Sequence, residues 1–265
     1  HMRIGIAREI EPVVETVLVI DESSMIDLWL FDEILARLTS STHLFLVGDV
    51  DQLPPVGPGA ILQDLIEAGE RWHLSGVRVV RLGRIFRQEA GAQSMIVVNC
   101  HRVRHGERPI REVPRTSDYF EMHREMPSEA RELAVELAAK RLPAFLNLPP
   151  SEVQVLAPMH GGEAGIRDLN LALQRALNPP SAAKEELVLS RSREGSEDGR
   201  VLRVGDKVRQ TRNDYQKRVF NGDLGRISRI DPEDRTMVVR FDDHSALYAA
   251  DELGEIVHAW AMTVH

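Results

Sequence analysis

A single cysteine, Cys100, stands among 265 residues, so no internal disulfide can form. That scarcity favours a reducing, cytoplasmic setting. Its place in the apolar stretch MIVVNCHRV predicts a buried, inert thiol rather than a catalytic one. No run of eighteen or more apolar residues occurs, which predicts no membrane span. The first residues lack a basic stretch followed by an apolar core, so no secretory leader is expected. Internal repeats and low-complexity tracts are also missing. Ten histidines are present, but without an HExxH pattern or a cysteine partner zinc is not expected. His101 and His105, with Arg102 and Arg104, read instead as a polar helix face.

Basic residues are outnumbered by acidic ones, 33 to 41, for a net charge of -8. Whole-chain charge decides little, because nucleic-acid binding depends on where the cations lie. Between Arg200 and Arg229 nine basic residues (Arg200, Arg203, Lys207, Arg209, Arg212, Lys217, Arg218, Arg226, Arg229) face only Asp206, Asp214 and Asp223. Composition alone fits a solvated charged face there as well as a phosphate-binding one. Tyr215 and Phe220 fall inside this stretch, where a ring could stack on a base. Tyr215 suits that role or the core equally, and Phe220 reads better as core.

The apolar runs VLVI (17–20), HLFLV (43–47) and VRVVRL (77–82) read as buried strands. IDLWLFDEILARL (26–38) reads as a helix between the first two. Helices are expected again at 89–104, 128–142 and 165–177, with a strand at 153–158. That alternation predicts an α/β fold with parallel sheets. After residue 200 short segments take over, separated by turn signals at Asn221-Gly222-Asp223 and Asp231-Pro232-Glu233-Asp234. Four or five such strands predict a small β-barrel inserted into the second α/β unit.

Asp21 and Glu22 follow the first run directly. The C-terminal end of a strand in an open α/β sheet is where ligands bind. An aspartate there can hold Mg²⁺, and a neighbouring glutamate can orient or deprotonate a water. The second run leads into GDVDQLPPVGPG, where glycine allows close backbone approach and proline stiffens the loop. Gln52 offers both a donor and an acceptor, which suits a terminal phosphate and its attacking water.

Taken together, VIDESSM resembles helicase motif II, GDVDQLPPVGPG motif III and RIFRQ (84–88) motif IV of the RecD-like branch of superfamily 1 DNA helicases. VLAPMHGGEAGIRDLNLALQRALNP, GDKVRQTRNDYQKRVFNGDLGRI and AWAMTVH resemble the second motor domain, the start of its inserted barrel and the opening of motif V. The resemblance implies RecA-like P-loop motor domains with parallel sheets and a small inserted β-barrel. Its domains would be 1–85, 86–203 resumed at 256–265, and the barrel at 204–255. ATP and Mg²⁺ would be the cofactors, with Asp21 on the metal, Glu22 catalytic, Gln52 near the γ-phosphate and Arg87 an arginine finger, whose fork matches a phosphate. Arg209, Arg212, Tyr215, Lys217 and Arg218 would meet DNA. The implied activity is ATP-driven 5′-to-3′ movement on single-stranded DNA and unwinding at duplex junctions, in repair or recombination, with nuclease or repair subunits as possible partners.

Two departures bear on this. No Gly-x-x-x-x-Gly-Lys-Ser/Thr loop occurs: none of the four lysines (Lys140, Lys184, Lys207, Lys217) follows a glycine or precedes a serine or threonine. Motif VI is also absent, which implies a fragment, a nicked product or a sequence with pieces left out. A non-catalytic DNA-binding fragment and the helicase portion of a conjugative relaxase are the alternatives.

Overall fold

The computed structural model describes residues 12–83, 94–114, 116–189 and 200–263. The chain divides into two compact units, with the boundary between Glu121 and Met122.

In the first unit, β1 (Val17–Ile20) and β2 (His43–Leu46) pair in parallel, in the register Val17 to His43 through Ile20 to Leu46. Helix α1 (Leu28–Arg37) connects them, and α2 (Ile61–Glu70) follows. Asp27 caps α1 by accepting the Leu30 N–H at 2.8 Å. Ile26, Ile34 and Ile61 form the small core, with Leu18, Ile20 and Leu46 packed against it. The strands are buried on that face alone. Val17, Val19, Phe45 and Val47 on the other face are exposed, which corrects the reading of two fully buried strands. The stretch 77–82 is not a strand either. Val77 and Val79 lie against Gly69 of α2, and Arg81 grips Glu70 through two hydrogen bonds of 2.8 Å. It has no ladder partner among the described residues, and its apolar alternation packs on a helix instead.

Helix α3 (Met95–Arg104) starts at Ser94, which caps Val97, while Asp118 accepts from the Met95 and Ile96 N–H groups. Buried Asn99 exchanges two hydrogen bonds with the backbone of Ile110. These bonds decide which side of α3 faces inward. Cys100 is therefore exposed rather than buried, one position beyond Asn99 on the turn.

The second unit begins with a continuous helical stretch: α4 (Pro127–Glu136), a π-helical segment Leu137–Arg141, and α5 (Leu142–Leu146). Pro127 suits the first helical turn, where its missing N–H costs nothing. Short β3 (Val155–Leu156) pairs in parallel with β11 (Ala261–Met262) at the chain's far end. Between them lie α6 (Ile166–Leu177) and an antiparallel module. Ala138, Ala157, Leu169, Leu173, Trp260 and Ala261 form the core under α6. Asn170 binds both the N–H and the carbonyl of Ala261 at 2.9 Å, fixing β11 to α6.

In the module, β4 (Glu186–Leu189) pairs with β5 (Arg200–Arg203), and five strands follow: β6 (Lys207–Gln210), β7 (Leu224–Asp231), β8 (Thr236–Arg240), β9 (Ser245–Tyr248) and β10 (Ile256–His258). The five form one antiparallel sheet in the order β10-β6-β7-β8-β9, with a bulge between Ile227 and Arg229. Leu187 and Leu202 of the first pair share a core with Val208, Ile227, Val239, Tyr248 and Ile256 of the sheet. The fold is thus α/β with parallel strand pairs and a small β-rich module. That module's sheet extends through His258, three residues past the expected barrel end.

The module is tied to α6 through one buried carboxylate. Asp206 Oδ2 accepts from Gln174 Nε2 at 2.6 Å, the Arg203 N–H at 2.8 Å and His258 Nε2 at 3.1 Å. Its Oδ1 accepts from Asn178 Nδ2 at 2.7 Å. Removing a carboxylate of this kind strands several buried donors at once. Asp206→Ala should lower stability by about 3–5 kcal/mol, read as a fall in the thermal midpoint. An unchanged midpoint would contradict this role.

Candidate ATP-site loops and nucleic-acid interface

Asp21 and Glu22 stand exposed at the C-terminal end of β1, and Asp49 and Gln52 at that of neighbouring β2. The loops bearing them are stapled together. The Ser23 N–H donates to Val47 O at 2.8 Å, and Ser23 Oγ lies 2.8 and 2.7 Å from the Ile20 and Val47 carbonyls. Farther out, the Leu28 N–H donates to Pro58 O at 2.8 Å. Two glycines are required by this closeness. A Cβ on Gly48 would stand 2.9 Å from the Ser24 nitrogen, and one on Gly57 2.0 Å from Asp27 Oδ2. Glu22 itself adopts φ 53°, a left-handed conformation that costs a non-glycine residue on the order of 1 kcal/mol or more. Its N–H donates to Asp21 Oδ1 at 2.9 Å.

The structure therefore brings Asp21, Glu22 and Gln52 to one edge of the sheet. Arg87, with the rest of RIFRQ, lies outside the described residues. Two exposed carboxylates with nearby polar groups fit the metal side of a nucleotide site, because Mg²⁺ takes one or two carboxylates and completes its shell with phosphates and water. The buried Ser24 hydroxyl, without a partner, adds a free polar group on the same turn. The lysine loop that would cradle the phosphates does not occur in the sequence. Among the described residues no group of three His, Cys, Asp or Glu forms a metal cluster.

The second candidate surface is the connection between β6 and β7. Asp214 and Val219 exchange backbone hydrogen bonds of 2.8 and 3.0 Å, closing a tight hairpin over residues 215–218. Asp214 Oδ1 accepts from the Gln216 and Lys217 N–H groups, and Arg218 takes the left-handed φ of 58° that the turn demands. Tyr215 projects from this hairpin, 74% exposed, and Phe220 packs edge-on against it with ring centroids 5.8 Å apart. Phe220 is 45% exposed, so its expected place in the core is corrected. The core position is taken by Val219, fully buried next to it. Arg212 and Arg218 are exposed on the same connection, while Arg209 is half-buried on β6.

Lys217 is different from these. Its ammonium is paired with Asp214 at 3.0 Å and with Glu252, and lies 5.2 Å from the Tyr248 ring centre. Burial pushes its pKa down, but Glu252 and Asp214 outweigh that and hold it above the usual lysine value. The Lys217 N–H keeps Asp214 below the usual carboxylate range, against the opposing effect of burial, and the Lys217 ammonium does the same to Glu252. Lys217 thus braces the hairpin, its charge already neutralised. Proximity to Arg218 in sequence gave no sign of that; Glu252, 35 residues away, supplies the decisive partner.

Comparison with known proteins agrees with the motifs. The family described as the ATP-dependent RecD-like DNA helicase SH3 domain matches residues 169–241, and an AAA domain family matches 6–125. The RecD2 helicase of Deinococcus radiodurans is 32% identical over 256 residues, covering 97% of this chain and 31% of that protein. The chain is RecD-like. The RecD subunit of the RecBCD enzyme of Mycolicibacterium smegmatis is 28% identical over 262 residues, covering 94% of this chain and 42% of its own length. The RecD-like chain thus spans less than half of these curated relatives. Among solved structures, Bacteroides Pif1 bound to single-stranded DNA shares the fold at a TM-score of 0.53 and 17% identity, covering 94% of this chain and 61% of that one. Bacteroides Pif1 with ADP-AlF3 and single-stranded DNA aligns at the same TM-score with 19% identity, covering 95% and 62%.

The two kinds of cation separate in a salt titration. Replacing Arg212 and Arg218 with alanine should flatten the log–log dependence of single-strand affinity on salt by about 0.7 for each phosphate no longer neutralised. Lys217→Ala should leave that slope alone and lower the melting temperature instead. Asp214 and Glu252 have depressed values in the fold, so their contribution is present above the unfolded carboxylate range near about 4. It is lost as the pH falls through their folded values. The acid-side loss of stability should shrink in Lys217→Ala; an equal loss would remove the brace.

Proposed function

We propose that this RecD-like chain is part of an ATP-dependent DNA helicase that moves 5′ to 3′ along single-stranded DNA and unwinds duplex at junctions. The observation that carries the reading is the stapling of two ligand-type loops, Asp21-Glu22 and Gly48 to Gln52, at the ends of adjacent parallel strands. Residues 1–85 would belong to one RecA-like motor domain. Residues 86–203 and 256–265 would form the second, with the barrel at 204–255 inserted into it. ATP with Mg²⁺ would supply the transferable phosphoryl group and the charge neutralisation that its departure needs. Asp21 would hold the metal, and Glu22 would orient and deprotonate the attacking water. Gln52 would hydrogen-bond that water or the terminal phosphate, and Arg87 would neutralise charge as a finger. The rings of Tyr215 and Phe220 would hold the strand by stacking, and Arg209, Arg212 and Arg218 by pairing with phosphates. A relative that is a subunit of the RecBCD enzyme supports work within an assembly; repair or recombination, nuclease or repair subunits as partners and a cytoplasmic setting belong to the same reading.

A second reading, a DNA-binding segment without catalysis, is favoured by one observation: the sequence contains no phosphate-binding lysine loop. Both readings face the same experiment. The 265-residue chain alone should show no DNA-stimulated ATP hydrolysis. In the protein that includes a phosphate loop, Glu22→Gln should cut turnover by about 10²-fold or more, with single-strand affinity changed only a few-fold. Turnover that survives Glu22→Gln would remove the assigned role.

A further inference from the structure

The outer face of the module's sheet carries three cations in direct cross-strand register. Lys207 on β6 stands opposite Arg226 on β7, which stands opposite Arg240 on β8. Side chains at opposed positions are close neighbours, and like charges so placed repel. Proteins ordinarily relieve such a row with carboxylates, but among the described residues none of these three cations forms an ion pair. The hydrogen-bond partners of Lys207 and Arg226 are neutral. Lys207 donates to Gln154 Oε1 at 2.8 Å, and Arg226 donates to Gly205 O at 3.1 Å while its guanidinium lies 5.7 Å from the Trp260 ring centre. Burial, and then Arg226, lower the Lys207 pKa below its usual value, with Glu152 opposing them only in part.

This row lines a cleft of about 420 Å³ between the sheet and the turn at 150–152. Glu152 and Asp242 also line it, yet neither comes within ion-pair distance of the three cations. The cleft therefore presents guanidinium and ammonium donors that the protein does not itself use up. Arg209 lies two residues beyond Lys207 on the same face of β6, and β6 runs directly into the hairpin bearing Tyr215 and Phe220. The basic face and the aromatic tip are thus successive along the chain, the hairpin following β6.

We propose that the Lys207–Arg226–Arg240 row is a phosphate site that holds the backbone of a nucleic-acid strand whose bases meet Tyr215 and Phe220. This rests on the DNA-binding reading above. Arginine fits the task because its planar fork matches a phosphate's oxygens. A peptide carboxylate would satisfy the same donors, but the continuity with an exposed pair of rings favours a strand.

The test is a salt titration of labelled oligo(dT) binding to the 265-residue chain. Arg240→Gln, at a position with no ion pair to lose, should reduce affinity about threefold and flatten the log–log slope by about 0.7, and Arg226→Gln with Arg240→Gln by about twice that. Melting temperature should hold or rise in Arg240→Gln, because a repulsion is relieved. Arg229→Gln, on β7 beyond the bulge and outside the cleft, serves as the charge control. Wild-type affinity and slope in the Arg240→Gln and double variants would overturn the proposal, as would an equal loss in Arg229→Gln. Inorganic phosphate that stabilises the wild type but not the double variant, with oligo(dT) binding unaffected by the substitutions, would make this a free-anion site and overturn the strand assignment. A wild-type chain that binds no oligo(dT) would overturn both this inference and the reading beneath it.

Discussion

A buried carboxylate must find donors, and the way Asp206 finds them organises the second unit. Two donors come from α6 and its C-terminal cap, Gln174 and Asn178, and the others from the Arg203 N–H and from His258 on β10. The chain leaves α6 for the antiparallel module through β4 and β5, and returns through β10. Asp206 binds both the outgoing and the returning strand to the same helix. Because Asp206 itself is fully buried, none of these donors could turn to water instead. The consequence reaches further along the chain: once His258 is fixed, Trp260 and Ala261 fall into the core under α6 and β11 meets β3.

The same economy of short links governs the first unit. Two parallel strands of four residues each offer little sheet to hold a site. Ser23 compensates by joining the ends of both strands, and Gly48 and Gly57 let the loops approach to backbone distance. The acidic pair and Gln52 therefore remain exposed at one edge without being held by a large core. A nucleotide site of the proposed kind needs accessible ligand groups on positioned loops, and exposed side chains on stapled loops fit that need.

Much of this was legible in the sequence because local signals acted locally. The turns at Asn221-Gly222-Asp223 and Asp231-Pro232-Glu233-Asp234 form where their residues place them, Gly222 with a positive φ and Asp231 accepting from the two residues that follow Pro232. Helix α6 begins one residue from its expected start and ends at Leu177, ahead of the Asn178-Pro179-Pro180 stop. What failed depended on distant partners. The stretch 77–82 has strand-like alternation but packs on α2, and Cys100 faces outward because Asn99 is claimed by Ile110. Phe220 is displaced from the core by its neighbour Val219, and Lys217 is neutralised by Glu252. Periodicity does not report which of two adjacent apolar residues turns inward, or which acid 35 residues away will take a lysine.

In the proposed function, nucleic acid is held by the module's aromatic hairpin and the strand leading into it. Hydrogen–deuterium exchange of the chain with and without oligo(dT) reads this directly, amide by amide. Adding DNA should slow exchange across 207–223 and change α6 little. Protection that leaves 207–223 unchanged while oligo(dT) is demonstrably bound would contradict it.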